Sequence, residues 1–536
     1  MPNLPRLQRQ AYASFGDGDL NRAERLCAGI LEHQPDNFDA LHLLGMLNFQ
    51  RQRMVEALHF LSAALKANSA SSDAMSNLGL ALHATGRFDE AISSFRNALQ
   101  LAPDHPEILY NLANACLELG RLADALSAYN AALAHAPGHV GALVNRGNTL
   151  LRLNEPMTAI ASYDTALAAM PGHPQILTNR GHALRRLNRP LEALADFKAA
   201  LIAAPEFAEA NFEAAMTHLT LGDFDTGWKE YEWRWKTGAF ARHRRPFRAP
   251  PWLGDEPVEG KTILLHAEQG FGDTIQFVRY APLLVSRGAR VICEVQPELQ
   301  PLLSQFTDVT VIASGATRPA FDLHAPLLSL PLAFRTQAGT IPDALPYLAA
   351  PAERVAYWRD RLPPDHPRMG LVWSGSPTHK NDANRSIALA RLAPLFENPP
   401  MPGLGLQSLG LQSLGFQSLS LQTELRDADR DTLRGLTNLV HLGEGIRDFA
   451  DTAAIISLLD VVVAVDTAVA HLAGALGKPV VILLPYAADF RWMRGRDDTP
   501  WYPTAKLMRQ PAFGDWDSVI IRLRDELRDM AGRVRA

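Results

Sequence analysis

At 536 residues the chain is too long for one hydrophobic core, so two or three domains are expected. A hydrophobic content of 47% with 20% charged residues excludes a disordered or fibrous chain. The formal net charge of -5 supplies no global attraction to nucleic acid or to an anionic membrane, and nucleic acid is not expected as a partner.

The three cysteines, Cys27, Cys116 and Cys293, lie far apart and form no C-x-x-C pair. Reduced, buried thiols of a cytoplasmic protein are expected, without a disulfide framework or a zinc site. The first residues lack the charged and apolar regions of a secretory signal. The most apolar stretch, 455–472, is interrupted by Asp460 and Asp466 and falls short of the ~18–20 apolar residues of a membrane span. A membrane role would therefore be peripheral, at the inner face.

Ala23, Ala57, Ala91, Ala125, Ala159 and Ala193 recur at a step of about 34 residues, the tetratricopeptide period. Ala11, Gly45, Gly79, Ala113, Gly147, Gly181 and Ala215 keep the same step, as do Pro35, Pro103, Pro137, Pro171 and Pro205. Small residues belong where two helices touch. Gly86, Gly120, Asn154 and Asn188 suit the turn between them, and the prolines close each unit. The expectation is an α-solenoid of about seven units over residues 5–242. Its use would be to bind a protein or peptide partner on the repeat groove; the alternative is a spacer or dimerisation element. The last unit is atypical, with Gly227, Trp228, Tyr231, Trp233 and Trp235, and reads as a docking end rather than an aromatic ligand cage. The basic, Pro-rich linker at 243–260 reads as a solvated connection, with guidance of an anionic acceptor as the alternative.

From Lys261 the pattern changes to short apolar runs alternating with amphipathic helices. Residues 262–266, 290–295, 309–313 and 321–324 form one set of strands, and 369–373, 461–465 and 479–484 a second. This is α/β architecture, two Rossmann-like domains at 261–350 and 366–536 facing a cleft. Between them a five-residue word repeats at 405–409, 410–414 and 415–419, and one copy, the last, is expected to enter the sheet.

Three segments could carry chemistry. Gly270, Gly272, Asp273 and Thr274 follow the first strand, where glycines admit a ligand and a helix start favours an anion; the third Gly of a dinucleotide fingerprint is missing. Asp273 is either a helix N-cap or a base at the cleft. Asp466, Thr467, Ala468, Val469 and His471 open a helix at the end of another strand, a placement that suits a diphosphate; the alternative is a capping Asp and a packed His. Ser374, Lys380 and Arg385 lie in a polar loop after a third strand, either phosphate-binding or merely solvated.

Taken together, these segments resemble the heptosyltransferase family of nucleotide-sugar glycosyltransferases, from about Thr262 to about Gln510, most specifically in the run from Asp466 to Pro479. The resemblance implies the GT-B fold. It implies donor-diphosphate binding by Asp466, Thr467, Ala468, Val469 and His471, a general base at Asp273, and a phosphate contact from Arg385 first and Lys380 second. It also implies direct displacement at the anomeric carbon, with no metal and no other cofactor. The family often has Gly where Ala468 stands. Tetratricopeptide repeats joined to a GT-B domain also describe the O-linked N-acetylglucosamine transferases, so a protein and a glycan acceptor both stay open. Asp427-Ala428-Asp429 spells a D-x-D but reads as surface. Arg491, Trp492, Trp501 and Tyr502 read as core packing, with the nucleotide base as the alternative. Residues 517–535 form an amphipathic helix, which in GT-B folds often packs back on the first domain. Two functions follow: a glycosyltransferase whose repeats recruit the acceptor or a partner, or a non-catalytic scaffold with a degenerate transferase domain.

Overall fold

The computed structural model describes residues 3–364, 367–396 and 416–535. Packing divides the chain into two compact units, Met1–Ala183 and Leu184–Ala536. The division falls inside the repeats rather than at the 243–260 linker, because the last helices of the array bury their apolar faces in the α/β region.

The first unit is built of helix pairs, from Leu4–Gly16 with Leu20–Leu31 to Val140–Arg152 with Pro156–Ala169. The 34-step alanines Ala23, Ala57, Ala91, Ala125 and Ala159 are fully buried. Ala102, Ala136 and Met170 leave helical geometry ahead of Pro103, Pro137 and Pro171, as a following proline requires. Gly86 and Gly120 turn the chain at φ of 75° and 70°, and Asn154 does so at 65°. Gly79 lies against the Phe95 ring, where an added Cβ would sit 2.6 Å from a ring carbon. Gly79→Ala should therefore lower stability by about 1–3 kcal/mol in a urea melt, through overpacking. Gly138→Ala, with open space around it, should leave the melt unchanged.

The second unit begins with the last repeat helices, Pro190–Ala203, Ala208–Leu221 and Phe224–Tyr231. Trp228 meets Phe277 and Phe490 edge-on, at ring separations of 6.4 and 5.6 Å. The aromatic end unit is thus a docking surface. A short helical turn, Glu232–Lys236, leads into the linker.

Two parallel sheets follow. The first holds β1 (Thr262–His266), β2 (Arg290–Val295), β3 (Val309–Ala313) and β4 (Leu323–Pro326), in the order β3-β2-β1-β4. The second holds β5 (Arg368–Val372), β6 (Gln417–Ser420), β7 (Leu439–His441), β8 (Val461–Val465), β9 (Val480–Leu484) and β10 (Ala505–Arg509), ordered β10-β9-β8-β5-β6-β7. β5, β8 and β9 are buried along their whole length, the signature of central parallel strands. Strand order reverses between β1 and β4 and between β5 and β8. Crevices for ligands therefore open at the ends of these strands. β6 draws on the last copy of the repeated word; the copies at 405–409 and 410–414 lie outside the described residues.

Three expectations are corrected. The linker is not simply solvated: Pro251 bridges to His324, Trp252 is buried, and Arg245 pairs with buried Glu294 at 2.7 Å. Asp429 is not surface but buried, accepting from Trp373 Nε1 at 3.0 Å and from the Leu389 N–H at 2.9 Å, which braces two neighbouring elements. The last helix, Trp516–Arg535, buries Val519, Leu523 and Leu527 against Met369, Val463 and Val481 of the second sheet rather than on the first domain. Cys27, Cys116 and Cys293 are free and buried, and no helix among the described residues is long and apolar enough to cross a membrane.

Candidate functional site

The loop after β1 enters the short helix Phe271–Phe277 at Gly270. Asp273 reaches back with Oδ2 to accept the Gly270 N–H at 2.9 Å, closing the first turn. Its Oδ1 accepts from Arg491, which stands on the loop after β9. Asp273 is therefore not the N-cap, which is Gly270, but closes the capping box from the third position with one oxygen, while the other faces Arg491. Burial raises the Asp273 carboxyl above its ordinary value, against the pull of Arg491.

Gly272 is required by close approach, since a Cβ there would lie 2.7 Å from Cδ2 of His471. This contact joins the first candidate segment to the second. Thr467 is the extended N-cap of helix Ala468–Ala475 and donates its hydroxyl to the Val465 carbonyl at 3.2 Å. The first-turn N–H groups of Ala468 and Val469 need acceptors from outside the helix. His471 is buried, with Nδ1 3.0 Å from the Tyr502 hydroxyl and its ring stacked on Trp492. Burial and nearby arginines hold its pKa well below the usual value, so the ring is neutral and contributes no charge to an anion site. Burial, with Asp489 beside it, pushes Asp466 up to about 6.

The third segment is tied in by one residue. Arg385 Nη1 donates to the Asp466 carbonyl at 2.9 Å, and its guanidinium lies where a Gly375 side chain would be. Its Nε is buried with no partner among the described residues. Ser374 is buried, its backbone held by Gln422 at 3.2 and 3.0 Å. Lys380 is exposed on the outer part of the loop and is not drawn into the cluster. Thr274 is buried and donates to Gln296 Oε1 at 2.9 Å, so its hydroxyl braces the loop instead of facing a donor. Beside Arg385, Gly375, Pro377, Glu424, Leu425, Arg426 and Asp427 line a cavity of about 310 Å³.

Sequence reasoning missed two participants and misplaced a third. Arg491 was read as packing; it donates to Gln276 Oε1 at 2.6 Å, to Asp489 Oδ1 at 2.8 Å and to Asp273. Asp489 and Gln276 carry no motif of their own, and only the fold brings them here. Trp492, Trp501 and Tyr502 are fully buried, in keeping with core packing. Behind the site, Gln269 donates to the Tyr231 hydroxyl at 3.0 Å, and fully buried Arg234 binds Glu268 at 3.1 Å, Glu232 at 2.7 Å and Ser329 at 2.7 Å. The end of the repeat array thus braces the loop that leads into the Asp273 helix. No cluster of His, Cys, Asp and Glu side chains among the described residues has the arrangement of a metal site.

Tetratricopeptide-repeat sequence profiles match residues 14–79, 82–146, 56–106, 144–205 and 178–227. The profile of glycosyltransferase family 9 (heptosyltransferase) matches residues 444–509, which include Asp466, His471, Asp489 and Arg491. The chain is 26% identical over 352 residues to protein FlbA of Caulobacter vibrioides, covering 61% of this chain and 56% of that protein. It therefore spans little more than half of that relative's length. Among solved structures it is similar to YrrB, described as a TPR protein with an unusual peptide-binding site: 19% identity, 34% of this chain, 95% of that one, TM-score 0.32. It is also similar to a tetratricopeptide repeat protein from Parabacteroides merdae: 17% identity, 43% of this chain, 91% of that one, TM-score 0.36.

Proposed function

We propose that this chain, which carries tetratricopeptide repeats in its N-terminal part and a glycosyltransferase family 9 domain near its C-terminus, transfers a sugar from a nucleotide-sugar to a hydroxyl of a protein or glycan acceptor. The observation that carries the reading is the meeting of Gly272 and His471. It sets the Asp273 carboxylate beside the first turn of helix Ala468–Ala475, where strands of both sheets end. That helix start and Arg385 offer N–H groups and positive charge to a diphosphate. The cavity of about 310 Å³ beside Gly375 has room for the nucleoside. Asp273 takes the acceptor proton as the acceptor oxygen attacks the anomeric carbon, and the diphosphate leaves with the bonding electrons. The repeats recruit the acceptor or a protein partner.

Calorimetric titration with UDP, GDP, ADP and CDP tests this. The wild type should bind one of them selectively, and Arg385→Met should weaken that binding tenfold or more by removing a charge-assisted donor. No binding of any of the four by a folded wild type would favour the scaffold reading instead. One observation speaks for that alternative: both Asp273 oxygens are already engaged.

A further inference from the structure

In this structure the carboxylate assigned as the base is held in an ion pair with Arg491 that favours its charged form and opposes proton uptake. Arg491 has each of its nitrogens turned to a protein acceptor: Gln276, Asp489 and Asp273. Asp466, Asp489 and Asp273 all lie in its field. A diphosphate entering here would add negative charge beside three carboxylates, and the cations that act there, Arg385 and Arg491, would be drawn to it. Water exclusion makes such crowding costly. One donor beside Arg491 is also unsatisfied: the Gln276 amide nitrogen is buried with no partner among the described residues. Gln276 is fully buried, so this orphan is not a solvated group.

We infer that Arg491 is exchanged between two anions: it holds Asp273 when the donor site is empty, and turns to the donor's diphosphate when it is filled, releasing Asp273 to act as the base. The inference rests on the transferase reading above and deepens it. Arg491 grips Asp273, whose neighbour Gly272 lies against His471 and Ala468, and the next residue, Trp492, stacks on the His471 ring, so Arg491 is tied to the Ala468 helix from two sides. In the reaction the acceptor O–H proton passes to Asp273 Oδ1. The acceptor oxygen bonds to the anomeric carbon. The bond from that carbon to the diphosphate oxygen breaks, and its electron pair stays on an oxygen held by Arg491. Base and leaving-group stabiliser are then armed by one event, donor binding.

The test is calorimetry with the nucleoside diphosphate that the wild type selects from UDP, GDP, ADP and CDP. Asp273→Asn keeps the acceptor for the Gly270 N–H but frees Arg491, and should bind the diphosphate about tenfold tighter than wild type. Arg491→Gln should bind it about tenfold or more weaker. In the Asp273→Asn/Arg491→Gln double variant the gain from Asp273→Asn should vanish, since its route is gone. Unchanged or weaker binding by Asp273→Asn, with wild type binding intact, overturns the exchange and leaves the transferase reading standing. If Arg491→Gln fails to fold, the Asp273→Asn result decides alone. No binding by folded wild type overturns the transferase reading and this inference together.

Discussion

Asp273→Asn should lower kcat by about 10²–10⁴-fold, the range for loss of a positioned general base. The substitution preserves shape and keeps an oxygen for the Gly270 N–H, so the helix start at Phe271 should form as before. Turnover would then fall while binding of the nucleoside diphosphate is strengthened, a split that misfolding cannot produce. Single-turnover measurement with saturating donor separates the chemical step from binding and makes the comparison direct. An enzyme whose kcat survived the change would have its base elsewhere, and a scaffold would show no turnover to lose.

Arg234→Met should destabilise the second unit by about 3–5 kcal/mol, the cost of leaving a buried charge without its partner. Arg234 is fully buried and holds Glu268, whose side chain is 2% exposed. Burial already pushes Glu268 up to about 7 even with Arg234 beside it. Without the arginine its folded pKa rises further above the unfolded value. The variant's deficit should therefore be small near pH 5, where the buried acid is neutral, and grow as pH rises toward 8. Adding Glu268→Gln should recover most of the loss at pH 8. Thermal melts at the two pH values check both statements, and equal deficits at pH 5 and pH 8 would refute them.

What could be read from the sequence follows from how far each signal reaches along the chain. The repeats announce themselves because Ala23 and its successors are close-packing positions that tolerate only small side chains, so the pattern survives in composition alone. The strands β8 and β9 are unbroken apolar runs because both faces of a central parallel strand are covered. The strand end and helix start around Asp466 through His471 were legible because the apolar run, the polar break and the helix-forming residues are consecutive. Arg491 was visible as a residue but not as a partner of Asp273, since 218 positions separate them and only the packing of two sheets brings them together. Thr274 misled for the converse reason: its neighbours Gly272 and Asp273 meet His471 and Arg491, while its own side chain turns inward to Gln296. Asp429 looked solvated amid charged neighbours, yet one face of its helix is covered and Trp373 claims its oxygen.

The bridge from Pro251 to His324 has a consequence for how the protein behaves among other chains. β4 is the outer strand of the first sheet on that side, and an outer strand offers its backbone as a template for any extended segment that approaches. Here the His324 N–H is taken by the Pro250 carbonyl at 3.2 Å, and its carbonyl by the Trp252 N–H at 2.7 Å. The covering segment cannot pass the ladder on, because Pro250 and Pro251 have no N–H to give. The sheet thus ends on this side in a strip that a stray strand cannot extend, and the linker doubles as a guard against aggregation.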